Sequence, residues 1–179
     1  MKKVTKVVIP IAGLGTRMLP VTKTIPKEML PILNKPLIQF IVEEAILTGF
    51  KRIIFVTHKN KFSVIDHFKE NFELENFLKK KGSKILFNEL KELSKLNSFI
   101  STVEQDEAKG LGHAILCAKD LISDEPFAVM LPDMIISSGQ KEIFLQMKKK
   151  FEESGDSSIL LYKVKKSEVQ NYGIAKFKK

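Results

Sequence analysis

A single cysteine among 179 residues, Cys117, leaves no thiol partner for an internal disulfide and too few for a multi-cysteine metal site. In "HAILCAKDLI" it reads as a small buried apolar residue. Apolar runs are short, and none approaches the roughly 18 residues of a bilayer-spanning helix. The run in "MKKVTKVVIPIAG" leads into a glycine loop rather than a cleavage site, so a cytoplasmic location is expected and a membrane partner is not. Histidine is scarce as well. His58, His67 and His113 lie in separate segments, which leaves a histidine-based hydrolase without support and gives His113, in the first turn of an expected helix, a structural role. Repeats, low-complexity tracts and linkers are also missing, so residues 1–179 read as one domain with a substantial core.

Hydrophobic residues make up 44% of the chain and charged residues 28%, the balance of a folded globular protein. The formal charge is +9, from 30 Lys+Arg against 21 Asp+Glu. Such an excess suits anionic partners, among them phosphorylated metabolites, nucleic acid and membrane surfaces. Most lysines are scattered over helix faces such as "FLKKKGSK" and "QMKKKFEE", so the charge by itself indicates solubility. No basic motif interleaved with aromatics points to nucleic acid, and none is expected as a partner.

Short β-branched runs alternate with helical spacing along the whole chain. "KVVIPIA", "RIIFVTH", "FISTVEQ", "PFAVMLPD" and "SSILLYKV" read as strands, the last but one carrying Asp133 at its carboxyl end. "KPLIQFIVEEAILTGF", residues 62–72, "GHAILCAKDLI" and "KEIFLQMKKKFEES" read as helices. Residues 73–96 read as one or two surface helices broken near Gly82. This alternation predicts an α/β fold, with a mostly parallel sheet and helices on both faces. Ligands of such sheets gather outside the carboxyl ends of the strands. The loop after the first strand, "EQDEAKGLGHA" and Asp133 all follow strands, so they converge on one edge.

The loop itself is unusual. In "IPIAGLGTRMLPVTKTIPKEMLP", Gly13 and Gly15 let the backbone approach an anion, and Arg17, Lys23 and Lys27 follow on a path stiffened by Pro20, Pro26 and Pro31. It is neither known phosphate loop: no Lys-Ser/Thr pair follows the last glycine, and Met18 stands where the dinucleotide fingerprint needs a third glycine. Arg17 offers a planar fork for paired phosphate oxygens and a lysine a compact charge, a mixture suited to a triphosphate. Gln105 carries an amide able to donate and accept towards a pyrimidine edge, and Gly110 and Gly112 allow close approach to a base.

"AGLGTRMLPVTKTIPKEMLP" resembles the signature of the sugar-1-phosphate nucleotidyltransferase family. The likeness continues through "QFIVEEA", "VTHKNK", "FELE", "GLGHAILCAKDLI", "DEPFAVMLPDMII" and "NYGIAK". It implies a three-layer α/β/α Rossmann-like nucleotidyltransferase fold. It also implies Mg²⁺-assisted in-line attack of glucose 1-phosphate on the α-phosphate of UTP, giving UDP-glucose and pyrophosphate. By resemblance, Arg17 and Lys27 are catalytic and Asp133 binds the metal. Ala12, Gly13, Gly15, Glu28, Gln105 and Gly110 meet the nucleotide, Glu28 at the uridine and Gln105 with Gly110 at the base. Tyr172 and Gly173 meet the sugar, and Lys23 only shapes the local field. A homo-oligomer is implied for the full-length protein. Family members continue past the position of Lys179 with a Glu-Lys pair and a second metal-binding aspartate, so a fold lacking its C-terminal part and weak turnover by this chain alone are expected. The alternatives are a dTTP-using enzyme and an inactive regulatory relative or fragment that only binds nucleotide.

Overall fold

The computed structural model of the chain describes residues 3–134 and 140–176. β1 (Lys6–Pro10) is followed by the proline-rich loop and a small antiparallel hairpin, β2 (Pro31–Ile32) and β3 (Lys35–Pro36). Then come α1 (Leu37–Leu47), β4 (Arg52–Thr57), α2 (Phe62–Asp66), α3 (Phe72–Lys81), α4 (Lys84–Lys95) and β5 (Ile100–Glu104). The chain continues through α5 (Leu111–Cys117), α6 (Lys119–Ile122), β6 (Phe127–Val129) and α7 (Gln140–Ser154). No described helix is long and apolar enough to cross a membrane.

The main sheet has the order β5-β4-β1-β6, and every pairing in it is parallel. Val7 sits opposite Ile53 on one side and Ala128 on the other. Both faces of β1 are covered. Val7 and Ile9 point, with Ile53 and Phe55, into a cluster completed by Ile38, Ile41, Val42 and Ala45 of α1 and by Val64 and Phe68. Val8, Ile54 and Val56 point the other way, onto Ala114, Ala118 and Ile122. Successive strand side chains alternate in direction, so an uninterrupted apolar strand needs a helical layer on each face. The result is the expected three-layer α/β architecture.

Four local readings differ from the sequence expectation. The 62–72 helix stops at Asp66, and α3 starts anew at Phe72, where the Asn71 side chain accepts the Leu74 N–H at 3.0 Å and fixes the start. "GHAILCAKDLI" divides at Ala118 into α5 and α6, and the β2–β3 hairpin is an addition. "SSILLYKV" forms no strand: Ile159 is 78% exposed and Tyr162 59%. A β pattern becomes a strand only with a ladder partner, and β6, which ends the sheet on that side, is three residues long.

Two lysines tie helices to this frame. Lys6 Nζ donates to the carbonyls of Leu121 and Ile122, both at 3.0 Å, satisfying orphan acceptors at the end of α6, and it pairs with Glu125 at 2.8 Å. Lys148 Nζ donates to the Thr48 carbonyl at 2.9 Å and lies 4.4 Å from the centre of the Phe50 ring, which docks α7 at the end of α1. Burial pushes the Lys148 ammonium below its ordinary pKa, with Glu152 opposing the shift. Lys6→Met removes a charged donor from two carbonyls in a buried setting and is expected to cost about 1–3 kcal/mol, read as a lower urea midpoint at unchanged slope. Lys69→Met, which breaks an exposed pair with Asp66, is expected to change stability by less than about 0.5 kcal/mol.

Candidate active site

The loop leaves the sheet at Ile11, whose N–H still donates to the Val56 carbonyl at 2.8 Å. Ala12 is half-buried and Gly13 exposed, and a Cβ at Gly13 would meet nothing within 4 Å, so the space above this backbone is open. Gly15 is different. Its φ of +67° is the left-handed region, and a Cβ there would stand 3.1 Å from Thr22 Cγ2 and 3.4 Å from Lys27 Cβ. Glycine is required both for the turn and for the close approach of the later loop. Thr22 Oγ1 donates to the Gly15 carbonyl at 2.8 Å and closes the fold of the loop upon itself. Three 3₁₀ turns follow one another, Thr16–Met18, Val21–Lys23 and Lys27–Met29. Pro20 and Pro26 immediately precede the second and third, where a fixed φ stiffens the entry. Arg17 is exposed on the first turn, and no hydrogen bond or ion pair among the described residues holds its guanidinium.

Lys27 and Glu28 are neighbours on the third turn with opposite destinations. Lys27 Nζ reaches across to Asp133 Oδ2 at 2.7 Å, with the two side chains 20% and 51% exposed. Asp133 arrives there because β6 lies beside β1, and the Met130 N–H extends that ladder by donating to the Val8 carbonyl at 3.0 Å. Glu28 turns inward and has no exposed surface. Its Oε2 accepts from Lys61 Nζ at 2.7 Å, while Oε1 is buried without a hydrogen bond. Burial is the leading cause that lowers the Lys61 pKa; the Glu28 carboxylate opposes it and the Lys27 charge adds to it. The uridine contact implied for Glu28 is therefore not available to its side chain in this conformation, because the carboxylate lies under the loop.

A second group forms at the neighbouring strand ends. Gln105 follows β5, its N–H donating to the Thr57 carbonyl at 2.8 Å, and the residue is only 6% exposed. Its Nε2 donates to the Gly110 carbonyl at 3.3 Å and stands 2.9 Å from His113 Nδ1. With Nε2 donating, Nδ1 accepts, and the imidazole carries its proton on Nε2. Gly110 has φ +92° and ψ −179°, a region essentially confined to glycine, and it starts α5. Gln105 and Gly110 are thus joined by a hydrogen bond. His113 is the residue that orients the amide, a role the sequence disclosed only through its distance of three positions from Gly110.

No hydrogen bond or ring contact among the described residues links Tyr172 or Gly173 to these groups. Tyr172 packs edge-on against Tyr162 with ring centres 5.7 Å apart, and the backbone hydrogen bonds that the described residues make around it are local, such as Tyr172 N–H to the Val169 carbonyl. A concavity of about 510 Å³ between Glu70, Lys91, Ser94, Lys95, Asn97 and Ser98 contains none of the loop residues. Among the described residues no cluster of three His, Cys, Asp or Glu could hold a metal ion. Asp133 presents a half-exposed carboxylate beside Lys27. That donor fits a hard divalent cation whose remaining ligands are phosphate oxygens and water, and Mg²⁺ binds in that manner.

A family model described as "Nucleotidyl transferase" matches residues 6–179. The UTP–glucose-1-phosphate uridylyltransferase of Haemophilus ducreyi is 47% identical over 173 residues, covering 94% of this chain and 59% of its own length. A second such enzyme, from Staphylococcus saprophyticus, is 49% identical, with 97% and 60% covered. The UTP-bound UGPase from Acinetobacter baumannii superposes with a TM-score of 0.78 at 39% identity, over 85% of this chain and 54% of that one. A UDP-glucose pyrophosphorylase complexed with UDP-glucose superposes with a TM-score of 0.68 at 42% identity, over 85% and 55%. The chain spans less than two thirds of the length of these relatives. A match over nearly all of its residues, on a parallel sheet whose strand ends carry the loop, Gln105 and Asp133, means that the chain belongs to the nucleotidyl transferase family.

Proposed function

We propose that this chain forms the nucleotide-binding part of a UTP–glucose-1-phosphate uridylyltransferase. The observation that carries the reading is the meeting of Lys27 and Asp133 at 2.7 Å, outside the carboxyl ends of β1 and β6. The sheet order reverses between these strands: β4 and β5 extend to one side of β1, and β6 returns to the other. Open α/β sheets bind ligands at such a switch point. A lysine and a carboxylate brought together there supply one group for phosphate and one for a cation that accompanies phosphate. The similarity to relatives named for UTP and glucose 1-phosphate supports this choice of substrates.

In this reading a phosphate oxygen of glucose 1-phosphate attacks the α-phosphorus of UTP as the bond to the β-phosphate oxygen breaks. UDP-glucose and pyrophosphate leave. Charge moves onto the departing pyrophosphate, so fixed cations contribute more than any protein nucleophile. Backbone N–H groups from Ala12 to Gly15 lie along the nucleotide phosphates, the Arg17 fork takes the leaving pyrophosphate, and Lys27 holds the α-phosphate. Asp133 would hold Mg²⁺, which supplies neutralisation of the phosphate oxygens when bound. The amide nitrogen of Gln105 is spent on Gly110 and His113, so its carbonyl oxygen is the end left for the N3–H of uracil. Glu28 supports the loop from beneath, and Tyr172 with Gly173 contributes to the sugar side. Work in the cytoplasm and a homo-oligomeric full-length protein belong to the same reading.

Calorimetry with the chain, Mg²⁺ and UTP is the direct test. Binding is expected, and Arg17→Ala, at an exposed position without partners among the described residues, should weaken it about tenfold or more while the urea midpoint stays in place. Absence of UTP binding, or equal binding by the variant, would overturn the reading, and tighter binding of dTTP would move it to a thymidylyltransferase.

Lys27 and Asp133 neutralise each other where they meet, which has a counterintuitive consequence. In the presence of a chelator, Asp133→Asn should bind pyrophosphate about two- to tenfold more tightly than the parent, because Lys27 is released and a repelling carboxylate is gone. With Mg²⁺ present the same substitution should weaken binding. Weaker binding under both conditions would mean that the pair does not restrain Lys27.

A further inference from the structure

We propose that Lys61 is a positioning residue for this site: by occupying the Glu28 carboxylate, it keeps the Lys27 ammonium on the open side of the loop, with Asp133. Lys61 stands at the residue before α2, where side-chain acceptors normally satisfy a free N–H, and an ammonium can accept nothing. Its side chain makes no cap and runs inward instead, 8% exposed, to a carboxylate with no exposure at all. A charge of this kind at an unfavourable local position calls for a tertiary reason.

The reason lies in the adjacency of Lys27 and Glu28. A buried carboxylate without a counter-charge costs several kcal/mol, and it recovers that cost by recruiting a cation or a proton. Glu28 Oε1 already lacks a hydrogen bond, so the group still has capacity to accept. Without Lys61, the cation in the same turn is Lys27, the immediate neighbour in sequence. Lys61 therefore works twice: it satisfies Glu28, and its own positive charge repels Lys27 from the same spot. The Lys27 charge adds, as the smallest of the causes, to the lowering of the Lys61 pKa. Both actions push Lys27 outward, where its ammonium meets Asp133.

The positioning claim is independent of substrate and can be read without one. The relevance of Lys27 to phosphate rests on the function proposed above. In the full chain with isotopically labelled lysines, the Lys27 side-chain NMR signal is assigned by its loss in Lys27→Arg. In the parent it should move on Asp133→Asn. In Lys61→Met that response should vanish, and the signal should move on Glu28→Gln instead. Lys61→Arg, which keeps the charge, should retain the parental response. A Lys61 that only holds the fold together would leave the response to Asp133→Asn intact in Lys61→Met, and that result overturns the proposal. Should Lys61→Met fail to fold, Lys61→Met/Glu28→Met replaces the buried pair with apolar side chains. Lys27 then has no competitor, so the response to Asp133→Asn must return, and its absence is equally fatal. In parallel, pyrophosphate affinity per folded molecule should fall about tenfold in Lys61→Met and stay within about threefold in Lys61→Arg. If the parent chain binds neither pyrophosphate nor UTP, the nucleotidyltransferase reading fails, while the NMR responses still decide the role of Lys61.

Discussion

Lys27 and Asp133 are separated by 106 positions in the chain yet stand 2.7 Å apart. Local structure cannot bring them together. Their meeting requires β1 and β6 to be neighbours and parallel, so that the loop leaving one and the turn leaving the other share an edge. That pairing depends in turn on the apolar character of both faces of β1, which is satisfied only with a helical layer on each side. The core therefore does more than hold the molecule together. It fixes the relative height of two strand ends, and the charged groups inherit the spacing.

Much of this was legible in the sequence because it rests on periodicity. The β-branched run around Val7, the helical spacing of Leu37, Phe40, Ile41 and Ala45, and the break at Gly82 each declare their element, although α1 buries Ile38 and Val42 rather than Leu37 and Phe40. The convergence of the loop, Gln105 and Asp133 followed from their positions after strands. The glycine pattern was legible for a physical reason as well, since at Gly15 both the backbone angle and the approach of Thr22 exclude a side chain. Failures arose where a pattern needs a partner that sequence does not reveal. "SSILLYKV" has the alternation of a strand, but no ladder partner pairs with it among the described residues. The apolar spacing of residues 62–72 runs on past the end of α2, whereas Asn71 offers a cap that starts α3.

The charges were less legible than the glycines. Glu28 and Lys27 look alike in sequence as polar residues on a loop, and only the turn decides which faces in. A 3₁₀ turn rotates successive side chains by about 120°, so neighbours diverge, and here one faces solvent while the other goes under the loop. Lys61 gave no signal by composition, one lysine in a lysine-rich chain. Its position just before α2, where an acceptor belongs, was the available clue. His113 was similarly plain until Gln105 was seen beside it.

These arrangements also separate two uses of positive charge. The overall excess of +9 is spread over helix faces and acts on any anion at long range, with screening by salt. The cations at the strand ends are individually restrained: Lys27 by Asp133 and Lys61 by Glu28. A restrained cation loses less conformational freedom when it meets phosphate, but it must first be released from its carboxylate. Arg17 is the opposite case, exposed and unpaired on the first turn, with its fork available at once. On the function proposed above, a polyphosphate arriving at this edge would meet a guanidinium that no described residue holds, and would gain Lys27 only when something else occupies Asp133. In that reading capture and positioning would be divided between residues ten apart on one loop, where the close packing of Gly15 against Thr22 and Lys27 holds the turns side by side.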